Sequence, residues 1–211
     1  MIRHLTATAL DLMYVSLGLT APWVFGSPWW VRRGIARYRR LAARYDAHVI
    51  TQTPGYSAPF DAVLGHLGDV AGRVLDVSTG TGAVALVLAG RFPRAEVHAC
   101  DVSVDMLEVA QQKAAAAGLS ITWHRAESTR LPFPDASFDL VFLQNAPLVP
   151  AELARVARPG GRVVLCYTKG GAMPAFLERR LARRLEGLHV PVGTVGRVRG
   201  GLYIVARRSQ A

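Results

Sequence analysis

From residue 73 onward, short apolar runs alternate with segments of helical periodicity. Runs near 73–78, 96–100, 120–124, 138–143 and 162–168 have the length of buried strands, and segments near 82–91, 104–117 and 174–187 repeat apolar residues every three or four positions. Strands that alternate with helices build a parallel sheet with helices on both faces. Two last apolar runs, 188–195 and 201–206, flank Gly200-Gly201 and predict a closing hairpin. The pattern predicts an α/β fold: a doubly wound sheet of seven strands, mostly parallel, with an antiparallel hairpin at its C-terminal end.

Before residue 73 the pattern differs. Residues 5–31 are apolar and aromatic with Asp11 as their one charge, and Pro22 and Pro28 interrupt them, which predicts a short helix followed by an irregular aromatic turn. Residues 32–46 set Arg32, Arg33, Arg37, Arg39, Arg40 and Arg44 between apolar residues at helical spacing, a basic amphipathic helix. A loop at 51–55 and a short helix at 57–67 follow. The division this suggests is an N-terminal segment, 1–35, that lies on a membrane surface or closes as a lid, and a main domain, 36–211.

Spanning a bilayer is not expected of that segment. Its run before Pro22 falls short of the ~20 residues required, and Asp11 near the middle would cost ~2.5–3.5 kcal/mol. Lying in the interface avoids both objections: Trp23, Trp29 and Trp30 suit the headgroup boundary, and each following arginine adds ~1 kcal/mol on anionic lipid. Arg3 and His4 make a weak basic start with no clear cleavage site after them, so no cleavable signal is expected.

The 211 residues, 51% of them hydrophobic, suffice for one α/β domain with an appendage. The net charge of +10 is mostly arginine, since Lys113 and Lys169 are the only lysines, and it suits phosphate, anionic lipid or nucleic acid. Cys100 and Cys166 are too few for a disulfide framework, which fits a reducing cytoplasm, with peripheral attachment at the inner membrane surface as the variant.

The chemistry concentrates at Val74-Leu75-Asp76-Val77-Ser78-Thr79-Gly80-Thr81-Gly82, an apolar strand that runs into a glycine turn and an alanine-rich helix. Without a Cβ, Gly80 and Gly82 let a ligand approach the backbone. The helix offers unpaired N–H groups and the positive end of its dipole to a carboxylate. Asp76 is placed to orient the turn or to accept from an ammonium group. Asp101, nineteen residues after Gly82, ends the next strand, where a carboxylate accepts hydrogen bonds from both hydroxyls of a ribose. The competing role for Asp101 is a helix cap, which Ser103 fills more readily. Gly80-Thr81-Gly82-Ala83-Val84-Ala85 also satisfies the permissive G-x-G-x-x-A fingerprint, so the turn alone leaves a dinucleotide open.

Four segments in order decide between these: D-V-S-T-G-T-G at 76–82, H-A-C-D-V-S-V-D-M-L at 98–107, L-P-F-P-D-A-S-F-D-L-V at 131–141 and R-P-G-G-R-V-V-L at 158–165. Together, over roughly residues 36–208, they resemble the class I S-adenosylmethionine-dependent methyltransferases, closest to the small-molecule branch typified by ubiquinone and menaquinone C-methyltransferases. The resemblance implies a Rossmann-like sheet, S-adenosyl-L-methionine as cofactor, no metal, and methyl transfer to a small, lipophilic acceptor. It implies that Thr81 and the backbone of Ser78, Thr79, Gly80 and Gly82 hold the methionyl part and that Asp101 holds the ribose. Val102 and Met106 would flank adenine, the backbone of Ala126 would face its edge, and Gln144 would lie near the transferred methyl. The sheet order such a fold takes also sets the strands of Cys100 and Cys166 three steps apart, about 14 Å at ~4.8 Å per step and too far for a bridge.

Three departures from the family pattern matter. Ser78 replaces a usual glycine. Arg125 stands where many relatives carry Asp or Asn toward the adenine amino group, a bond arginine cannot accept, so either Glu127 substitutes or the contact is missing. The stretch between Phe138-Asp139 and Arg158-Pro159-Gly160-Gly161 is short, leaving the fourth helix a stub. No catalytic residue is assigned, because the donor is already activated and alignment in a dry pocket suffices. A base is needed only if the acceptor must lose a proton, for which His48, Tyr56 and His124 are candidates.

Two other functions compete. Arg125 and the stub motivate a degenerate, membrane-associated partner protein. The charge and Asn145-Ala146-Pro147-Leu148 motivate a nucleic-acid methyltransferase, against which Leu148 replaces the aromatic residue that would stack on an extruded base.

Overall fold

The computed structural model describes residues 7–210; Arg3 and His4 lie outside them. Five parallel strands, β1 (Arg73–Val77), β2 (Glu96–Asp101), β3 (Thr122–Arg125), β4 (Phe138–Gln144) and β5 (Ala157–Tyr167), are joined by β6 (Val192–Val198) and β7 (Gly201–Arg207). They form one sheet in the order β3-β2-β1-β4-β5-β7-β6, with β7 antiparallel to both of its neighbours. The expected fold is therefore the observed one.

Alternation along the strands explains how both faces are buried. Val74, Leu140, Phe142 and Val164 pack with Phe60, Val63 and Leu67 of α3 (Ala58–Leu67) and Leu88 of α4 (Ala83–Arg91). Their strand neighbours Leu75, Val141, Leu143 and Leu165 face the other way, onto Leu153 of α6 (Pro150–Val156) and Leu177, Leu181 and Leu185 of α7 (Ala175–Glu186). The period of two thus supplies two apolar faces from one strand set. The helix of the fourth crossover, α6, has only seven residues, the stub the sequence foretold. Cys100 on β2 and Cys166 on β5 are free and buried, with β1 and β4 between their strands.

The hairpin begins later than the apolar pattern suggests, at Val192 instead of residue 188. The early apolar residues close α7: Val190 is fully buried and its N–H donates to the Leu185 carbonyl. Ser103 does not cap α5 (Val104–Ala116) with its side chain. Its hydroxyl is buried without a partner among the described residues, and its N–H donates to Asp101 Oδ1 at 2.9 Å.

The N-terminal elements are α1 (Ala7–Thr20), a 3-10 turn (Pro22–Gly26), α2 (Pro28–Leu41), a second 3-10 turn (Ala42–Arg44) and one π-helical turn (Asp46–Ile50). Pro28 suits the first turn of α2, and Ser27 caps it, its hydroxyl accepting from Trp30 N. The N-terminal segment packs on the main domain: Val15 and Phe25 belong to the same buried cluster as Leu143 and Leu165. Gly18 is where α1 rests on the domain, since a Cβ there would stand 2.3 Å from the Leu148 carbonyl oxygen. Asp11 is a tether rather than a charge adrift in an apolar helix, its buried carboxylate accepting from the backbone N–H of Lys169 at 2.8 Å. No helix among the described residues is long and apolar enough to cross a membrane.

Candidate donor and acceptor site

A cavity opens at the C-terminal ends of β1, β2 and β4, the edge where open α/β sheets bind ligands. Eleven of the twelve residues named from sequence line it: Asp76, Ser78, Thr79, Gly80, Thr81, Asp101, Val102, Met106, Ala126, Glu127 and Gln144. Gly82 is the exception. A Cβ there would meet Ala110 Cβ at 2.9 Å and the Trp123 ring at 3.3 Å, so its missing side chain lets the turn pack on α5 and β3. At Gly80, with φ +56°, a Cβ would meet nothing within 4 Å, and that open space is the cavity. Ser78 adopts φ 58°, the left-handed conformation that a glycine there takes without strain.

The floor is acidic. Asp76 is completely enclosed, and burial pushes its carboxyl up to about 7 even though Thr79 Oγ1 donates to it at 2.5 Å. Asp101 is likewise raised by burial, opposed by the backbone N–H groups of Ser103 and Gly80, the latter donating to Oδ2 at 2.9 Å. Each Asp101 oxygen retains lone-pair capacity toward the cavity. Gln144 donates through Nε2 to the Tyr56 carbonyl at 3.4 Å, while its Oε1 is buried with no partner among the described residues.

Sequence reasoning missed Asp46. Its Oδ1 accepts from the Thr81 hydroxyl at 2.5 Å and its Oδ2 from Lys113 Nζ at 2.6 Å, and Lys113 also donates to the Thr81 carbonyl at 2.9 Å. The π-helical turn is thereby latched to the glycine turn and to α5. Nothing in the periodicity announces this contact between residues 35 and 67 positions apart.

The lid alternative for the N-terminal segment anticipated a wall opposite without naming its residues, apart from Tyr56 as a candidate base: α1, α2 and the turns beside them provide Tyr14, Phe25, Trp30, Val31, Tyr38, Tyr45 and Tyr56. Phe25 packs edge-on to Tyr14 and Trp30, at centroid distances of 6.3 and 5.1 Å, and Tyr38 edge-on to Tyr45 at 6.3 Å. The phenols pair, Tyr14 with Tyr38 and Tyr45 with Tyr56, and burial holds Tyr14, Tyr45 and Tyr56 above the usual phenol range. A stripe at residues 30, 33/34 and 37/38 was the available signal, being one face of a helix.

Other expectations resolve by position. Of the three candidate bases only Tyr56 reaches the cavity. His124 lies outside it, stacked on His98 with Nε2 3.0 Å from His98 Nδ1, and His48 is exposed with Nδ1 3.2 Å from the Arg44 carbonyl. Arg125 is exposed and away from the cavity. Leu148 is fully buried against Gly18 and cannot stack on a base. Of the three N-terminal tryptophans, Trp30 faces the cavity, while Trp23 and Trp29 are 71% and 57% exposed. No cluster of metal-ligating side chains occurs among the described residues.

Comparison with known proteins bears on the segment that carries the glycine turn. Residues 74–161 match the family model described as a methyltransferase domain. The chain is 47% identical over 100 residues to a demethylmenaquinone methyltransferase of Deinococcus radiodurans, covering 44% of this chain and 42% of that one. It is 39% identical over 137 residues to a ubiquinone/menaquinone biosynthesis C-methyltransferase of Desulfotalea psychrophila, covering 61% and 55%. The chain thus spans about half the length of the curated relatives it matches. Among solved structures it superposes on a SAM-dependent methyltransferase from Aquifex aeolicus with a TM-score of 0.63 at 21% identity, over 82% of this chain and 97% of that one. A [4+2]-cyclase shares the fold at a TM-score of 0.62 and 19% identity, over 72% and 80%. Residues 74–161, which carry the glycine turn with Asp101 beside it, are thus similar to the methyltransferase-domain family, and the whole sheet shares its fold with solved S-adenosylmethionine-dependent methyltransferases.

Proposed function

We propose that this chain transfers a methyl group from S-adenosylmethionine to a small, lipophilic, aromatic acceptor of the quinol type. The observation that carries the reading is the two-sided cavity: on one side lie the motif residues, on the other a wall of paired tyrosines with Phe25 and Trp30. When bound, the donor supplies a methyl group on a sulfonium already activated for displacement. Gly80 leaves the room that the donor's methionyl part requires, Asp101 accepts from the ribose hydroxyls, and Asp76 accepts from the ammonium group. Val102 and Met106 sandwich adenine between apolar surfaces, the backbone at Ala126 meets its edge with Glu127 beside it, and Ser78, Thr79 and Thr81 shape the turn. The aromatic wall excludes water and stacks an acceptor ring so that its nucleophilic atom lies in line with the methyl group. Tyr56, held protonated by burial, donates a hydrogen bond rather than acting as a base.

The names of the similar proteins support a quinone-type acceptor, and the surface supports delivery from an anionic membrane. Exposed Trp23 and Trp29, with Arg33 over the Trp29 ring, and exposed Arg32, Arg39 and Arg40 lie on the elements that wall the cavity.

Calorimetry tests the donor. S-adenosylmethionine and S-adenosylhomocysteine should bind and NAD should not; failure of the first two overturns the reading. Flotation with phosphatidylglycerol vesicles tests delivery. Binding should weaken with salt, and a protein that stays off the vesicles at low salt removes the membrane from the proposal.

A further inference from the structure

Arg33 and Arg37 stand one turn apart on α2, are exposed, and border the cavity at its rim. Neither has an acidic partner within ion-pair distance among the described residues, although Arg39 on the same helix reaches Asp105 at 3.8 Å. Each guanidinium is instead supported by a ring: Arg33 lies 5.6 Å from the Trp29 centroid and Arg37 6.0 Å from that of Tyr38. A guanidinium seated on an aromatic face keeps its forked N–H edge free for an oxyanion. The cavity is therefore polarised, with the buried carboxyls of Asp76 and Asp101 at the floor and two unpaired cations at the rim. Glu127, also at the rim, is not within 4 Å of either arginine. Deep in the same cavity Gln144 Oε1 is an enclosed acceptor in need of a donor.

We infer that the acceptor is amphiphilic in a defined way. One end bears an oxyanion, carboxylate or phosphate, gripped by Arg33 and Arg37; the other presents a hydroxyl or N–H to Gln144 Oε1. This rests on the aromatic cavity being the acceptor site. Two other oxyanions would meet the same arginines, the donor's own carboxylate and a lipid phosphate, and the test separates them.

The protein saturated with S-adenosylhomocysteine is titrated calorimetrically with a hydroxynaphthoic acid, a hydroxynaphthyl phosphate and the neutral methyl ester of the acid. At least one anion should bind about tenfold or more tighter than the ester, the ordinary worth of one charged hydrogen bond, and the tighter anion identifies the oxyanion. That preference should vanish in the double variant Arg33→Gln/Arg37→Gln and persist in part in Arg37→Lys, with S-adenosylhomocysteine affinity changed less than about twofold. Equal binding of anions and ester, or binding of none, overturns the inference. So does a double variant that keeps the anion preference: a loss of S-adenosylhomocysteine affinity would then assign the arginines to the donor, and a loss of phosphatidylglycerol-vesicle binding would assign them to lipid. If the unmodified protein fails to bind S-adenosylhomocysteine before any acceptor is added, the proposed function falls first and this inference with it.

Discussion

Asp101 carries two loads, and separating them is the test of its role. Its oxygens accept from Gly80 N and Ser103 N, which order the glycine turn and the start of α5, and the same carboxylate faces the cavity. Asp101→Ala should therefore weaken S-adenosylmethionine binding by about 1.5–3 kcal/mol and also lower the melting temperature, because two enclosed N–H groups lose their acceptor. Asp101→Asn keeps one acceptor and should recover more of the stability than of the affinity. Equal recovery of both would show that the residue acts through the turn alone. Asp76 gives a pH dependence of definite sign. Burial raises its carboxyl from 3.8 to about 7, so the folded chain favours the proton, and stability is lost as pH rises from the lower value through the higher. Asp76→Asn should gain on the parent across that window, by about 1.4 kcal/mol for each pH unit between the two values, and stay level above it. Denaturant midpoints at pH 4, 6 and 8 decide the matter, and a constant difference would refute it. That the glycine turn and Asp101 were legible reflects their local chemistry: short spacing on a strand end and a helix start. The packing need at Gly82 was not legible for the same reason. A glycine's partner, here Ala110 and Trp123, lies far off in the chain, and spacing cannot tell a ligand from a helix.

Among the elements, strands β1 to β5 were visible because each is a short apolar run between turn residues and both faces are covered. The apolar character of α1 was just as visible, and its meaning stayed open between a membrane surface and a lid. A helix apolar on most sides suits a membrane surface, and it equally suits a helix that packs Val15 into the domain while Tyr14 looks into a cavity. Only Asp11 hinted at the second, by being a carboxylate that a backbone N–H could satisfy. The latch of Asp46, Thr81 and Lys113 makes a further prediction. Lys113 is partly screened from water and binds both the carboxylate and the Thr81 carbonyl, so Lys113→Met frees the Asp46–Ile50 turn while α5 retains its apolar contacts. Amide exchange in residues 46–50 should rise by about tenfold, corresponding to the 1–2 kcal/mol of a half-buried charged bond, with exchange in β1 and β4 unchanged. Uniform acceleration across the sheet would mean that Lys113 supports the whole fold.

Across the whole molecule, the proposed donor floor and the proposed acceptor wall belong to one cavity, and the wall is built into the core of the domain. Opening it sideways would mean unpacking Val15 and Phe25 and breaking the tether from Asp11 to Lys169, a cost of core size rather than of loop size. Traffic therefore has a sequence. An acceptor resting against Trp30, Tyr38 and the rim arginines stands between the floor and the outside, so the donor must enter first and the demethylated donor must leave last. Steady-state rates carry the imprint of that queue. S-adenosylhomocysteine should inhibit competitively against S-adenosylmethionine and noncompetitively against the acceptor, and the methylated product should compete with neither. A methylated product that competes with the acceptor would mean that the cavity has a second door.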